Sequence, residues 1–205
     1  MTRNSTCDAY RAAEIHTNSR EERRFTMKKT VWTFGLISGA ILSVMMLLTL
    51  PFMDSIGFDK GQVIGYTTMV LAFLLIYFGV RSYRDLVGGQ LSFGRAFAVG
   101  ALIAAVSSAC YVVTWEFIYY RLAPDFPAKY QAHVIESVKS SGASQAEIER
   151  EVAKVQSFME LYKNPLMNAG ITFLEPLPVG LVISLITAAV LRKRRDEEAS
   201  ELATA

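Results

Sequence analysis

Residues 96–120 read AFAVGALIAAVSSACYVVTWEFIYY, with a single formal charge at Glu116. As a helix rising 1.5 Å per residue the stretch reaches about 37 Å, enough to cross a hydrocarbon core of about 30 Å. Three further stretches share this character: Val31–Met53, Gln62–Val80 and Leu166–Leu191. Glu116 and Glu175 are the only carboxylates in all four. The pattern predicts an all-α fold, a four-span transmembrane helical bundle. A soluble domain of 205 residues can also be 52% apolar, but it does not collect its apolar residues into four unbroken blocks.

The net charge of only +2 excludes a strong overall attraction to nucleic acid, and no nucleic-acid partner is expected. Where the charges fall is more telling. Arg20, Arg23, Arg24, Lys28 and Lys29 precede the first span. Arg81, Arg84 and Arg95 separate the second from the third, and Arg192, Lys193, Arg194 and Arg195 follow the fourth. The connector between spans one and two has Lys60 against Asp54 and Asp59, and residues 121–165 balance six cations against six acids. Basic residues near helix ends stay on the cytoplasmic side, so both termini and the middle loop are expected there. The expected location is a bacterial cytoplasmic (inner) membrane.

Residues 1–26 are polar and without apolar periodicity, and are expected to form a disordered cytoplasmic extension. Met27-Lys28-Lys29 has the form of a bacterial start, so Met1 and Met27 stand as alternative beginnings. The apolar run that follows exceeds the 7–15 residues typical of a signal-peptide core and lacks an A-x-A site, which points to a retained helix. Residues 27–195 then form the membrane domain, and 196–205 a polar cytoplasmic tail.

Small residues mark where helices approach closely. Span one contains Gly35 and Gly39 in G-x-x-x-G spacing. Span three repeats Ala96, Gly100, Ala104 and Ser108, and span four Gly180, Ser184 and Ala188. Lipid gives helices no hydrophobic reason to associate, so such rows serve van der Waals contact. Tyr111, Trp115, Phe117, Tyr119 and Tyr120 crowd one end of span three, with Trp32 and Phe34 at the opposite end of span one. They read as anchors at the headgroup level.

Between spans three and four, residues 121–165 predict a helical hairpin. Tyr130, Val134 and Val138 step by four, Ser141-Gly142 ends the first helix, and Ser144 with Glu147 has capping-box spacing. Ile148, Val152, Val155, Met159 and Tyr162 lie on one face of the second helix, which Asn164-Pro165 stops. On the topology above the hairpin is extracytoplasmic, and its stripe over 128–162 faces its partner helix, the membrane surface or another protein.

The chemistry concentrates in Glu116 and Glu175. A carboxylate inside a membrane is costly and tends to protonate, pair or meet water. Glu175 is followed by Pro176 and Pro178, which remove backbone N–H groups and kink the helix. Either the two carboxylates line a polar site for a cation, proton or polar ligand, or each is satisfied locally.

The middle loop, Arg81 to Arg95, carries Gly88-Gly89 for a tight turn and Ser92 as a helix cap. Together with Gly100 in span three and Glu175-Pro176 in span four, this run resembles a bacterial membrane family, domain of unknown function 4199. The likeness covers about Lys28–Arg195. It implies four-helix inner-membrane proteins with an extracytoplasmic segment between the last two helices, and it brings no activity and no catalytic residues.

No Ser/His/Asp set, H-E-x-x-H, CxxC or EF-hand spacing is present, so neither catalysis, a metal nor a cofactor is expected. Cys7 and Cys110 do not form a metal spacing, and the predicted topology keeps them apart. The expected function is an accessory, interaction or structural membrane protein, contacting the bilayer, a protein at the hairpin, or a second copy of itself. The alternative is a small transporter or ion-binding protein that uses Glu116 and Glu175.

Overall fold

The computed structural model describes the backbone of residues 4–192 and the side chains of residues 21–192. The tail at 196–205, the cations at 193–195 and the side chains of Cys7 and His16 lie outside the described residues. All regular structure among the described residues is helical. The helices are α1 (Asn4–Thr49), α2 (Met53–Ile56), α3 (Phe58–Leu86), α4 (Phe93–Phe117), α5 (Phe126–Lys139), α6 (Gln145–Tyr162), α7 (Pro165–Leu174) and α8 (Leu177–Leu191). Four helical segments are long and apolar enough to cross a membrane: Glu21–Ile56, Phe58–Leu86, Phe93–Leu122 and Pro165–Leu191. By length and composition the chain is a multi-pass membrane protein.

Helix α1 runs unbroken from Asn4 into the first span. No glycine or proline occurs between Asn4 and Phe34. A span that is already helical needs no new nucleus, so each polar residue before it adds one hydrogen bond for the dihedrals it fixes.

The bundle is organised around α4. On α1, Val31, Gly35, Ser38, Gly39 and Leu42 form the buried stripe, while Leu36, Ile37, Ile41, Val44 and Leu48 are exposed on the other faces. That stripe meets α4 in parallel register. A Cβ built on Gly35 falls 2.7 Å from Val106 Cβ, and one on Gly39 falls 2.6 Å from Cys110 Cβ. One turn further, Thr114 Oγ1 donates to Ser43 Oγ at 2.7 Å. Ser107 Oγ also donates to the carbonyl of Gly35 at 3.0 Å, and Ser38 Oγ to that of Ala72 on α3 at 3.0 Å.

On its other flank α4 meets α8 in antiparallel register. A Cβ on Gly100 falls 2.9 Å from Ser184 Cβ, and one on Gly180 falls 2.6 Å from Ala104 Cβ. Ser108 and Ala188 are fully buried along the same seam, and Ser184 Oγ donates back to the Gly180 carbonyl at 2.7 Å. Gly79 of α3 is a close-approach site that the spacing rules do not pick out, pressed between Ile103 and Phe34. Phe34 is therefore a packing residue rather than the expected headgroup anchor, whereas Trp32 stands exposed.

The packed core occupies only one half of this bundle. Its cluster is built from Phe73, Ile76, Val80, Val99, Ile103 and Ala188 with their neighbours. In α3 every fully buried residue lies from Met69 onward, and α5 and α6 have none. The basic loop Arg81–Arg95 closes the packed end. There Gly88 and Gly89 take φ of 92° and 78°, left-handed values that glycine adopts without steric cost. Ser92 occupies the N-cap position of α4, but its side chain makes no capping bond.

The hairpin forms where the pattern placed it. Gly142, at φ 75°, turns the chain, and the Glu147 carboxylate accepts from Ser144 N at 3.0 Å and Ser144 Oγ at 2.7 Å. Those two bonds hold the Glu147 carboxyl below its ordinary pKa. A carboxylate with a lowered folded pKa stabilises the fold above its unfolded value, near 4.3, and loses that contribution as pH falls through the folded value.

Gly39→Val or Gly180→Val forces overpacking against backbone-fixed atoms and should destabilise the bundle by about 1–3 kcal/mol. Gly65→Ala, where an added Cβ meets nothing within 4 Å, should leave melting in detergent unchanged. Glu147→Ala should flatten the loss of hairpin helicity between about pH 5 and pH 3, followed by circular dichroism on wild type and variant.

Candidate functional site

The half of the bundle that lacks a core holds a partly open cavity of about 820 Å³. Its existence follows from the fourth span. Pro176 and Pro178 have no N–H to give to the carbonyls of Thr172 and Leu174, and the span breaks into α7 and α8. Below the break α8 packs against both α3 and α4, whereas above it α7 packs chiefly against α4 and α6. The first half of α3 is thus left without a helix opposite, and the hairpin closes over the gap.

Met45 and Met46 of α1, Ile64 and Tyr66 of α3, Tyr111 and Trp115 of α4, and Tyr119 of the π-helical turn Ile118–Leu122 that continues it form the walls. Phe126, Tyr130 and His133 of α5 and Phe158, Met159 and Tyr162 of α6 form the cover, with Thr172 and Glu175 at the far side. Tyr111 and Trp115, four residues apart, share one face of α4, and Tyr119 extends their row into the turn. These three do not serve as the expected headgroup anchors. Packing turns them inward, and only Phe117 and Tyr120 of that group are more than a third exposed.

The two intramembrane carboxylates part company. Glu175 lines the cavity, where its Oε2 accepts from Tyr111 Oη at 3.1 Å. Ten residues of α7 separate it from Asn164, a length of about 15 Å along the helix. Glu116 does not line the cavity, and its Oε1 is buried without a hydrogen-bond partner. The cavity thus takes in Glu175 and not Glu116: one helical residue turns the side chain by 100°, enough to carry Glu116 off the face that bears Trp115.

A hydrogen-bond chain ties the cover to the bundle. Trp115 Nε1 donates to Tyr162 Oη at 3.0 Å, and Thr172 Oγ1 donates to Asn168 Oδ1 at 3.2 Å. Tyr162 Oη and Thr172 Oγ1 are 2.9 Å apart, and either hydroxyl can donate to the other. Burial raises the Tyr162 phenol above its ordinary pKa, keeping it neutral. α4, α6 and α7 are thereby joined at one point.

The second attachment is electrostatic and exposed. Lys129 Nζ lies 3.1 Å from Asp54 Oδ1 and 3.0 Å from Asp125 Oδ2, and His133 Nε2 lies 3.3 Å from Asp59 Oδ1. Hydrogen bonding to Asp125 and then to Asp54 raises the Lys129 pKa, while the bond from Lys129 lowers that of Asp125. Phe58 packs among the rings of Phe126, Tyr130 and His133 beneath these pairs, with centroid separations of 5.0–5.7 Å. Exposed ion pairs contribute little singly, so the aromatic contact and the Tyr162 chain carry most of the attachment.

Fold and cavity together define a four-span helical membrane protein with a ligand-sized space beneath a helical cover. The chain belongs to the family described as a protein of unknown function (DUF4199), whose sequence model matches residues 33–193. No curated protein and no solved structure matches it.

The chain's weakest replaceable link is Tyr162. Tyr162→Phe leaves the Trp115 N–H and the Thr172 hydroxyl without their partner and should loosen the cover by about 1–3 kcal/mol. Limited proteolysis within 140–144 should accelerate, while the melting of the packed half changes little.

Proposed function

We propose that this is an accessory integral membrane protein whose task is to bind a small apolar or amphiphilic molecule between its spans and its hairpin. The observation that carries this reading is the 820 Å³ cavity, in a molecule whose other half is closely packed. Its size lies within the range of about 300–1,000 Å³ typical of small-molecule sites, and its lining is aromatic and methionine-rich with a few polar groups. The hairpin then acts as the cover, and its outer face is available to a protein partner or a second copy.

The positive-inside distribution of Lys and Arg supports a bacterial inner-membrane location with both termini cytoplasmic and the hairpin outside. Transport is the second reading, favoured by one feature: Glu175 stands at a broken span. It rests on Glu175 alone, because Glu116 lies outside the cavity.

Two tryptophans make binding readable. Trp115 lines the cavity, and Trp32 lies at the opposite end of the bundle. In nanodiscs, Trp32→Phe protein should show saturable quenching of Trp115 by a brominated long-chain alcohol. Gly65→Phe, which projects a ring into the cavity from a position with open space, should abolish saturation. Quenching that rises linearly and equally in both proteins would overturn the binding reading. For topology, Ser140→Cys in a Cys7→Ser, Cys110→Ala background should react with a membrane-impermeant maleimide from outside intact cells; labelling only after lysis would reverse the orientation.

A further inference from the structure

The cavity has a charge character that its size alone does not dictate. Its lining includes four carboxylates, Asp59, Glu147, Glu151 and Glu175, together with His133, and contains no lysine or arginine. Of the hairpin cations, Lys129 is turned to Asp54 and Asp125 and Lys163 to Glu160, while Lys154 pairs with Glu151 at the cavity's outer edge. Glu175 receives one hydrogen bond, from Tyr111 to Oε2, and among the described residues its Oε1 has no protein donor. A carboxylate within a membrane-spanning segment and without a protein cation must bind a proton or find its counter-charge in whatever fills the space.

The groups beside it suit one kind of counter-charge. Tyr66, Tyr111 and Trp115 share the lining with Glu175, and aromatic faces attract cations, most strongly where water is excluded. Met45, Met46 and Met69 supply soft, adaptable apolar surface around them. A metal ion is poorly served, because no group of three His, Cys, Asp or Glu side chains converges among the described residues. A hydrated inorganic cation would leave the apolar walls unused.

We infer that the ligand is a lipophilic organic monocation, an ammonium- or phosphonium-type centre with apolar substituents, held with its charge at Glu175 and its apolar groups against the methionine and aromatic walls. This rests on the binding reading above. The acidic residues nearer the hairpin, Asp59 and Glu147, raise the local concentration of such a cation at the entrance. Anions of equal size and shape are rejected by the same charges.

Tetraphenylphosphonium and tetraphenylborate test this directly, being nearly the same shape with opposite charge. Each is titrated against the brominated alcohol bound to the Trp32→Phe protein in nanodiscs, with protein-free discs subtracted. The phosphonium should displace the alcohol at concentrations lower by roughly tenfold or more than the borate. Glu175→Gln should remove that preference while still binding the alcohol, which also shows that the variant is folded. Tyr66→Leu, at a position already 42% exposed, should weaken the phosphonium several-fold without affecting the alcohol, and it decides the matter if Glu175→Gln does not fold. Equal displacement by both ions, or a preference that survives these substitutions, overturns the cationic ligand and leaves the binding reading standing. Failure of the alcohol itself to saturate wild type removes both.

Discussion

Backbone-to-backbone approach through small side chains is the constraint on which this fold rests. In lipid, leucine has no more to gain from a neighbouring helix than from an acyl chain, so association depends on close van der Waals contact and on hydrogen bonds across the seam. α4 satisfies this on two flanks at once. Gly35, Gly39 and Ser43 bring α1 alongside in parallel, and Gly100, Ala104, Gly180 and Ser184 bring α8 alongside in antiparallel. Buried hydroxyls at Ser38, Ser107 and Thr114 then find acceptors on a neighbouring helix at distances that only such an approach permits.

The same constraint explains why the bundle is hollow at one end. α8 can fill the gap between α3 and α4 only as far as its helix continues, and Glu175-Pro176 is where it stops. Beyond that point α7 stays with α4, held by the chain from Trp115 through Tyr162 and Thr172 to Asn168. The resulting space is covered by a hairpin with no fully buried residue of its own, held by rings around Phe58 and by exposed ion pairs. Stability is thereby concentrated in the basic half and adaptability in the other. A binding site gains from this division, because the elements that must open are those with the least packing.

Charge follows a parallel division. Arginines and lysines gather at the packed end, where anionic headgroups can receive them, while the cavity is lined by carboxylates and aromatic rings with no cation among them. Glu175 sits where a span breaks and where a tyrosine supplies one hydrogen bond. That combination distinguishes it from Glu116, which resembles it in sequence setting but has no place in the cavity.

The four long apolar helices, the Ser144–Glu147 cap and the break at Glu175-Pro176 were legible in the residues themselves. Each depends on local chemistry: apolar length, capping geometry and a missing N–H. The glycines of α1, α4 and α8 were legible as close-approach positions, but which helix each one meets was not, since spacing names a face and not its neighbour. Gly79 went unread because no small residue stands four positions away on either side, where Leu75 and Tyr83 occur, to form a row. Tyr111, Trp115 and Tyr119 recur every four residues, a signal present in the sequence, yet whether that row looks to lipid or inward depends on helices far away in the chain. Sequence alone therefore determined a four-span helical membrane protein with a capped helix. Only the tertiary structure decided that Glu175 and not Glu116 faces an internal space, because a cavity is made by the disagreement of several helices about where to pack, and no single segment encodes it.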